Sequence, residues 1–421
     1  MSDYCPRVID PYLSETLEYS GAVLIEGVRW CGKTRTAEEK AASIISLQDP
    51  SKSKSYLKTA DIKPSLLLEG ETPRLIDEWQ MAPVLWNSVK YTVDERRGKP
   101  GQFILTGSAT PPKDNLRHSG AGRIERVKMR PMSLFESQES NGNVSLHELF
   151  EGKHDIEASS ELTIEKLSSA VVRGGWPGLM NTAEKFVMRE MQNYVESIIN
   201  IDISKADDVQ RSPAIARELM RSLSRNVSSV ANMSTIRKDM SGDDDMISDK
   251  TVSSYINALR RIFVVEDVPA WNPSVRSKAA VRESPKRNFV DPSIAAAVMR
   301  LSPKGLLEDL STFGLLFESL CVRDLRVYSQ VLDGEVFHYR DRYDLEADAV
   351  VHLNDGRWGA VEVKLGMNEI EKGSENLKKL RDRVDTDRMK QPSFLMVLTA
   401  TEYAYRREDG VLVVPIGCLK P

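Results

Sequence analysis

Cysteine is scarce in this chain: Cys5, Cys31, Cys321 and Cys418 are the only four in 421 residues, and no pair has C-x-x-C spacing. The five histidines do not gather beside them, so neither a disulfide framework nor a zinc site is expected, and a reducing, cytoplasmic compartment fits. No apolar run approaches the roughly 18 residues that a membrane helix needs. The opening MSDYCPRVIDPYL also lacks a basic start followed by an apolar stretch, so the expectation is a chain neither secreted nor membrane-spanning. A strong charge of one sign is missing too. The formal net charge of −4 argues against wrapping the whole molecule in nucleic acid, so any such partner must bind a local basic face.

What is present is ordinary globular composition, 41% hydrophobic and 29% charged, which excludes a largely disordered protein. The length exceeds what one core sustains and predicts roughly two to four domains.

The run GAVLIE ends at Gly27, glycines and a Lys-Thr pair follow, and TRTAEEKAA is rich in helix formers. Strand, loop and helix in that order make a phosphate-binding loop of Gly27, Val28, Arg29, Trp30, Cys31, Gly32, Lys33 and Thr34. Gly27 and Gly32 let the backbone curl so that its N–H groups face phosphate oxygens. Lys33 is expected to neutralise the β- and γ-phosphates of ATP, and the Thr34 hydroxyl to ligate Mg²⁺. Downstream, RLIDEWQ runs a short apolar pair into two acids. Asp77 at the strand end would hold the metal through water, and Glu78 would polarise the attacking water as general base; the alternative is an exposed turn carrying two acids. QFILTGSA is a further short strand ending in hydroxyls, with Thr106 the candidate γ-phosphate sensor and Ser108 the alternative, because parallel strand ends converge on a site. Arg123 follows glycines in SGAGRIERV, where a guanidinium could reach a phosphate of its own chain or of a neighbour. Acting in trans would require a ring or a dimer; the alternative is a solvated surface arginine.

RGGWPGL, residues 173 to 179, reads as the exit from the ATPase region. From Asp207 the pattern is helical. SDKTVSSYINALRRIF places Val252, Tyr255, Ile256, Leu259, Ile262 and Phe263 on a core face. The opposite face carries Lys250, Ser253, Ser254, Asn257, Arg260 and Arg261, groups of the kind a recognition helix presents to a major groove. The shorter NMSTIRKDM precedes it, and Arg276, Lys278, Arg282, Lys286 and Arg287 follow against Glu283 alone, as a basic wing does. The reading is a winged helix-turn-helix. Such modules also serve as packing units, and Asp243 to Asp245 would repel phosphate, so DNA contact and packing both stay open.

From Phe313 the order is a helix, three short strands, a helix rich in Lys and Glu, and two further strands. Alternation in WGAVEVKL puts Glu362 and Lys364 on one face. Asp348 in LEADAVV and Glu318 in GLLFESL are placed to join them. Carboxylates with a lysine can hold one or two Mg²⁺ ions for attack on a phosphodiester, Asp348 and Glu362 being the metal ligands and Lys364 stabilising charge; the alternative is solvated strand charges.

GVRWCGKT, LIDEW, ILTGSA, GGWPG, TVSSYINAL, KRNFVDP, FES and EADAVV with AVEVK occur in the order of a known family. Over roughly residues 5 to 400 the chain resembles bacterial and archaeal ATP-binding proteins that join an AAA-type ATPase to a C-terminal DUF4143 domain. The resemblance implies an α/β protein: a RecA-like P-loop NTPase sheet, a winged helix, and a PD-(D/E)xK nuclease-like α/β domain. On it, Gly27, Gly32, Lys33 and Thr34 match the phosphate loop, Asp77 and Glu78 the Walker B pair, and Asp348, Glu362, Lys364 and Glu318 the nuclease-like site. The strand departs from the pattern in having Ala349, rather than a larger apolar residue, after Asp348. The expected domains are 1–140 (ATPase core), 141–206 (helical extension), 207–300 (winged helix-turn-helix) and 301–421 (nuclease-like domain). The expected function is ATP hydrolysis coupled to DNA binding and metal-dependent DNA cleavage; the alternative is a nucleotide-gated switch whose nuclease-like domain is silent.

Overall fold

The run AVLIE forms β1 (Ala22–Glu26), buried up to its last residue, because a parallel strand covered on both faces has no solvent side to alternate with. The computed structural model describes residues 4–109, 120–207, 209–241, 247–273, 284–385 and 389–421. Arg276, Lys278, Arg282 and Glu283 of the basic stretch, and Asp243 to Asp245, lie outside the described residues. The chain divides into two compact units. One comprises Met1–Pro131, Ile201–Arg211 and Ile256–Val264; the other comprises Met132–Asn200, Ser212–Tyr255 and Val265–Pro421.

In the first unit β1 is joined by β2 (Ser43–Ser46), β3 (Arg74–Asp77), β4 (Phe103–Gly107) and β5 (Ile124–Lys128) in a parallel sheet of order β2-β3-β4-β1-β5. The register pairs Ile25 with Thr106, Ile76 with Leu105, and Ser46 with Asp77. The C-terminal ends of four strands therefore finish level, with β4 between the loop strand and the acid strand. Leu24, Ile76 and Leu105 pack with Trp79, Leu85 and Trp86 in the core beneath them, and that burial anchors the strand ends that carry the polar residues.

The second unit holds β6 (Val144–Ser145), β7 (Glu157–Ser159), β8 (Gly334–Arg340), β9 (Glu346–Leu353), β10 (Trp358–Lys364), β11 (Phe394–Thr399), β12 (Tyr403–Arg406), β13 (Leu412–Pro415) and β14 (Leu419–Lys420). Seven of them form a sheet of order β7-β12-β13-β11-β10-β9-β8, and β14 pairs with β6. The helix Leu310–Gln330 packs on β8, β9 and β10, and Ile370–Arg383 on β9, β10 and β11. Three strands rather than two enter this sheet after the second helix, and its far edge, β7, comes from Glu157–Ser159. That segment is polar and three residues long, too short to show alternation in the sequence.

Helices Pro213–Arg225, Met233–Ser241 and Asp249–Arg261 follow one another. Isolated bridges join Ser229 to Arg287, Val265 to Phe289 and Val268 to Lys286. The run RGGWPGL is tightly packed. Trp176 is fully buried, its Nε1 donates to Ser293 Oγ at 2.8 Å, and the Gly175 N–H donates to Asp291 at 3.0 Å. A Cβ on Gly175 would stand 2.1 Å from the Met132 carbonyl oxygen, so the glycine there answers to close packing rather than to a linker.

Candidate functional site

The loop after β1 is shaped by two glycines with different tasks. A Cβ on Gly27 would meet the Met129 carbonyl oxygen at 2.1 Å, and Gly32 takes φ 101° as it enters the helix Lys33–Glu38, a conformation that side chains resist. Val28 and Cys31 are buried, the Cys31 thiol 3.5 Å from the Met129 carbonyl, while Trp30 is exposed at φ 70°. Lys33 is buried and its ammonium donates to the Val28 carbonyl at 2.8 Å, across the loop's own span. Arg29 pairs with Asp202, at 2.8 Å and 3.1 Å to its two oxygens.

Asp77 ends β3 and is 2% exposed. Its Oδ1 accepts from Thr34 Oγ1 at 2.7 Å and from Thr106 Oγ1 at 2.8 Å; its Oδ2 accepts from Ser46 Oγ at 3.0 Å and Gln48 Nε2 at 3.4 Å. Four donors from the loop helix, β4 and the end of β2 thus converge on one carboxylate, as the level strand ends require. Glu78 turns off in the left-handed region at φ 56°. Its backbone N–H donates to Thr106 Oγ1 at 3.3 Å, and its carboxylate accepts from Ser108 Oγ at 3.2 Å and from the Gln80 amide. A carboxylate beside a hydroxyl is a hard oxygen pair suited to Mg²⁺, so these residues fit the metal the sequence implied. Arg123 is not brought into this cluster. It precedes β5 at the strands' opposite end, since Ala22 pairs with Ile124, and its Nε donates to Asp94 at 2.9 Å. Five residues of strand separate the two ends, about 16 Å.

The second constellation lies on the C-terminal sheet of the other unit. Asp348 on β9 and Glu362 on β10 are buried, not solvated, and Ala349 beneath Asp348 is fully buried. Lys364 Nζ lies 2.7 Å from Glu362 Oε2 and 3.6 Å from Asp348 Oδ2, which also accepts the Val363 N–H at 2.8 Å. Glu318, on the helix Leu310–Gln330, reaches the cluster through a residue read as part of the basic wing: Lys286 Nζ stands 2.6 Å from Glu318 Oε1 and 3.2 Å from Asp348 Oδ1. Burial, then the Asp348 charge, pushes Glu318 up to about 7 and Glu362 up to about 8. Burial would raise Asp348 as well, but Lys286 and Lys364 hold it down to about 2. Each carboxylate thus has an ammonium against it, and these contacts leave the expected metal ligands Asp348 and Glu362 engaged. Among the described residues no group of three or more His, Cys, Asp or Glu is arranged to hold a metal ion. The residues present do not fit a divalent ion in this arrangement.

Sequence reasoning missed Ser46, Gln48, Asp202 and the role of Lys286. Ser46 and Gln48 were open to discovery, because SIISLQ is a strand end next to β3. Lys286 opens the motif KRNFVDP, a lysine ahead of a buried run; Asp202 left no local signal.

Three families match the chain: an AAA domain over residues 19–138, a domain of unknown function, DUF8612, over 164–305, and another, DUF4143, over 313–419. No curated protein matches. Among solved structures, the chain is similar to the Walker-type ATPase of Pyrococcus abyssi, at 15% identity over 69% of this chain and 94% of that one, with TM-score 0.43. A DNA replication initiation factor matches at 16% identity over 60% of this chain and 86% of that one, with TM-score 0.25. A Signal Transduction ATPase with Numerous Domains carrying a tetratricopeptide repeat sensor, from Pyrococcus horikoshii, matches at 14% identity over 79% of this chain and 50% of that one, with TM-score 0.26.

Proposed function

We propose that this chain, an AAA-type P-loop ATPase with a C-terminal DUF4143 domain, hydrolyses ATP with Mg²⁺ and uses the nucleotide state to set its hold on DNA. The observation that carries the reading is the convergence of Thr34, Thr106 and Ser46 on the buried Asp77 carboxylate, beside a loop closed over Lys33. Thr34 and Asp77 would hold Mg²⁺, which supplies charge neutralisation on the phosphates. Lys33 exchanges the Val28 carbonyl for phosphate oxygens. Glu78, kept beside β4 by Ser108, receives the proton of the attacking water, and Thr106, bonded to both the Asp77 carboxylate and the Glu78 N–H, relays which phosphate is present.

DNA is the proposed partner because the three helices from Pro213 to Arg261 and the bridged segments around Val265, Val268, Lys286 and Phe289 run in the order of a winged helix-turn-helix. Lys250 and Asn257 lie on the polar side of its last helix. Of the two activities open to the C-terminal domain, the lysine-filled cluster favours holding a partner over cutting it.

The test is ATP turnover and fluorescence anisotropy of a labelled duplex, with and without ATP, in wild type and Lys33→Ala. The variant should lose ATP binding and turnover, and its DNA affinity should no longer respond to ATP. Unchanged ATP affinity in Lys33→Ala would sink the reading. Plasmid cleavage in Mg²⁺ or Mn²⁺ that disappears in Asp348→Ala would restore the nuclease.

A further inference from the structure

We infer that Lys286 permanently fills the cation position of the C-terminal carboxylate cluster, so that Glu318, Asp348 and Glu362 form a lysine-neutralised joint and take no divalent ion. The inference goes beyond the ATPase reading and does not depend on it.

The side chain reaches the cluster from a backbone that is itself fixed. The Lys286 N–H donates to the Val268 carbonyl at 2.9 Å, and the Val268 N–H returns a bond to the Lys286 carbonyl at 2.8 Å. The next residue is held as firmly: the Arg287 N–H donates to the Ser229 carbonyl at 2.7 Å, and its guanidinium pairs with Asp267 at 2.8 Å. A surface lysine samples many rotamers; this one is 6% exposed and begins from a backbone bridged to Val268. Withdrawing its ammonium would break two charged contacts while the backbone that carries it stays in place.

Charge and number of donors reinforce the geometry. Lys286 engages one oxygen of each of two carboxylates, Glu318 Oε1 and Asp348 Oδ1. Asp348 Oδ2, the remaining oxygen, is already taken by the Val363 N–H and approached by Lys364. A metal entering here would have to sit beside an ammonium fixed on the same two carboxylates, and like charges at such spacing repel strongly where solvent is excluded. The ammonium therefore supplies what the ion would have supplied: it neutralises the carboxylates and ties the helix Leu310–Gln330, β9 and the bridged segment at Lys286 together.

The full-length, nucleotide-free chain tests this with Mn²⁺ alone, followed by electron paramagnetic resonance. Wild type and Asp348→Asn should bind the same amount of Mn²⁺. Lys286→Met should gain about one Mn²⁺ per chain, and adding Asp348→Asn to it should remove that gain. Mn²⁺ held by wild type and lost in Asp348→Asn overturns the inference, as does a folded Lys286→Met that gains none. Should Lys286→Met fail to fold, acetylation of wild-type lysines read by mass spectrometry decides the matter. Lys286 should stay equally protected with and without Mn²⁺; a rise in its labelling when Mn²⁺ is added overturns the inference. Lys33→Ala should leave the nucleotide-free Mn²⁺ result unchanged, so the ATPase reading and this one fail separately.

Discussion

Gly27 has no room for a side chain, because the nearest atom to a Cβ there is a backbone carbonyl of Met129 at 2.1 Å. A flexible neighbour could move aside; a carbonyl at the end of a paired strand can do so only by shifting the loop. Gly27→Ala is therefore expected to fold, retaining its far-ultraviolet circular dichroism, while losing at least about tenfold in ATP affinity, some 1.4 kcal/mol, measured by titration calorimetry. Wild-type affinity would mean that the loop yields more easily than its packing implies. His338 is buried in the other unit. Burial, helped by the charge of Lys286, lowers its imidazole from the ordinary 6.5 to about 4. The folded value lies below the unfolded one, so the contribution is complete above pH 6.5 and is lost as pH falls through about 4, when the unfolded chain takes up a proton that the folded chain refuses. Over that window the loss reaches about 3 kcal/mol. Urea unfolding at pH 7 and pH 4.5 should show a smaller acid-side drop in His338→Gln than in wild type.

Between elements, the second unit relies on a buried ionic knot that no single segment announces. Arg323, on the helix Leu310–Gln330, pairs with Asp291 at 2.9 Å and with Asp324 at 2.7 Å. Asp291 caps the helix Pro292–Val298 and receives the Gly175 N–H, while Asp324 receives the Leu134 N–H at 2.9 Å. One guanidinium thus ties the GGWPG turn, the helix that begins in VDP and the long helix of the DUF4143 region. Removing it leaves two buried carboxylates without their partner, so Arg323→Leu should destabilise the chain by about 3–5 kcal/mol, read as a lowered urea midpoint; a shift near zero would show that the carboxylates find other partners. The nucleotide strands were legible because each short apolar run stops where the site begins: AVLI before Glu26 and Gly27, Ile76 before Asp77, Leu105 before Thr106. The packing of GGWPG was not legible for an equally physical reason. Glycine and proline mark a bend in the chain whether water or protein surrounds it, and only the contacts of Trp176 and Gly175 tell the two apart. Glu318, Asp348, Glu362 and Lys364 could be grouped from strand alternation, yet Lys286 reaches them from more than thirty residues upstream of Glu318, a distance that no periodicity spans.

The chain leaves and re-enters its nucleotide-binding unit. Ile201–Arg211 and Ile256–Val264 belong to it although they lie beyond residue 140, and their helical composition gave no sign of where they pack. Asp202 anchors Arg29 of the phosphate loop, Ile203 is fully buried, and Asp207 faces Arg261 at 3.6 Å, joining the two returning segments. A fragment of residues 1–140, the border that sequence reading suggests, would lack all of these groups. It should therefore bind ATP more weakly than the full chain and melt less cooperatively, as followed by calorimetry and circular dichroism. Asp202→Ala in the full chain separates the causes. The Arg29 side chain is half exposed, so losing that pair alone should cost only about 0–1 kcal/mol. A large deficit in the fragment beside a small one in Asp202→Ala would assign the difference to burial by the returning segments. Equal ATP affinity in fragment and full chain would mean instead that the first 140 residues already make a complete nucleotide site.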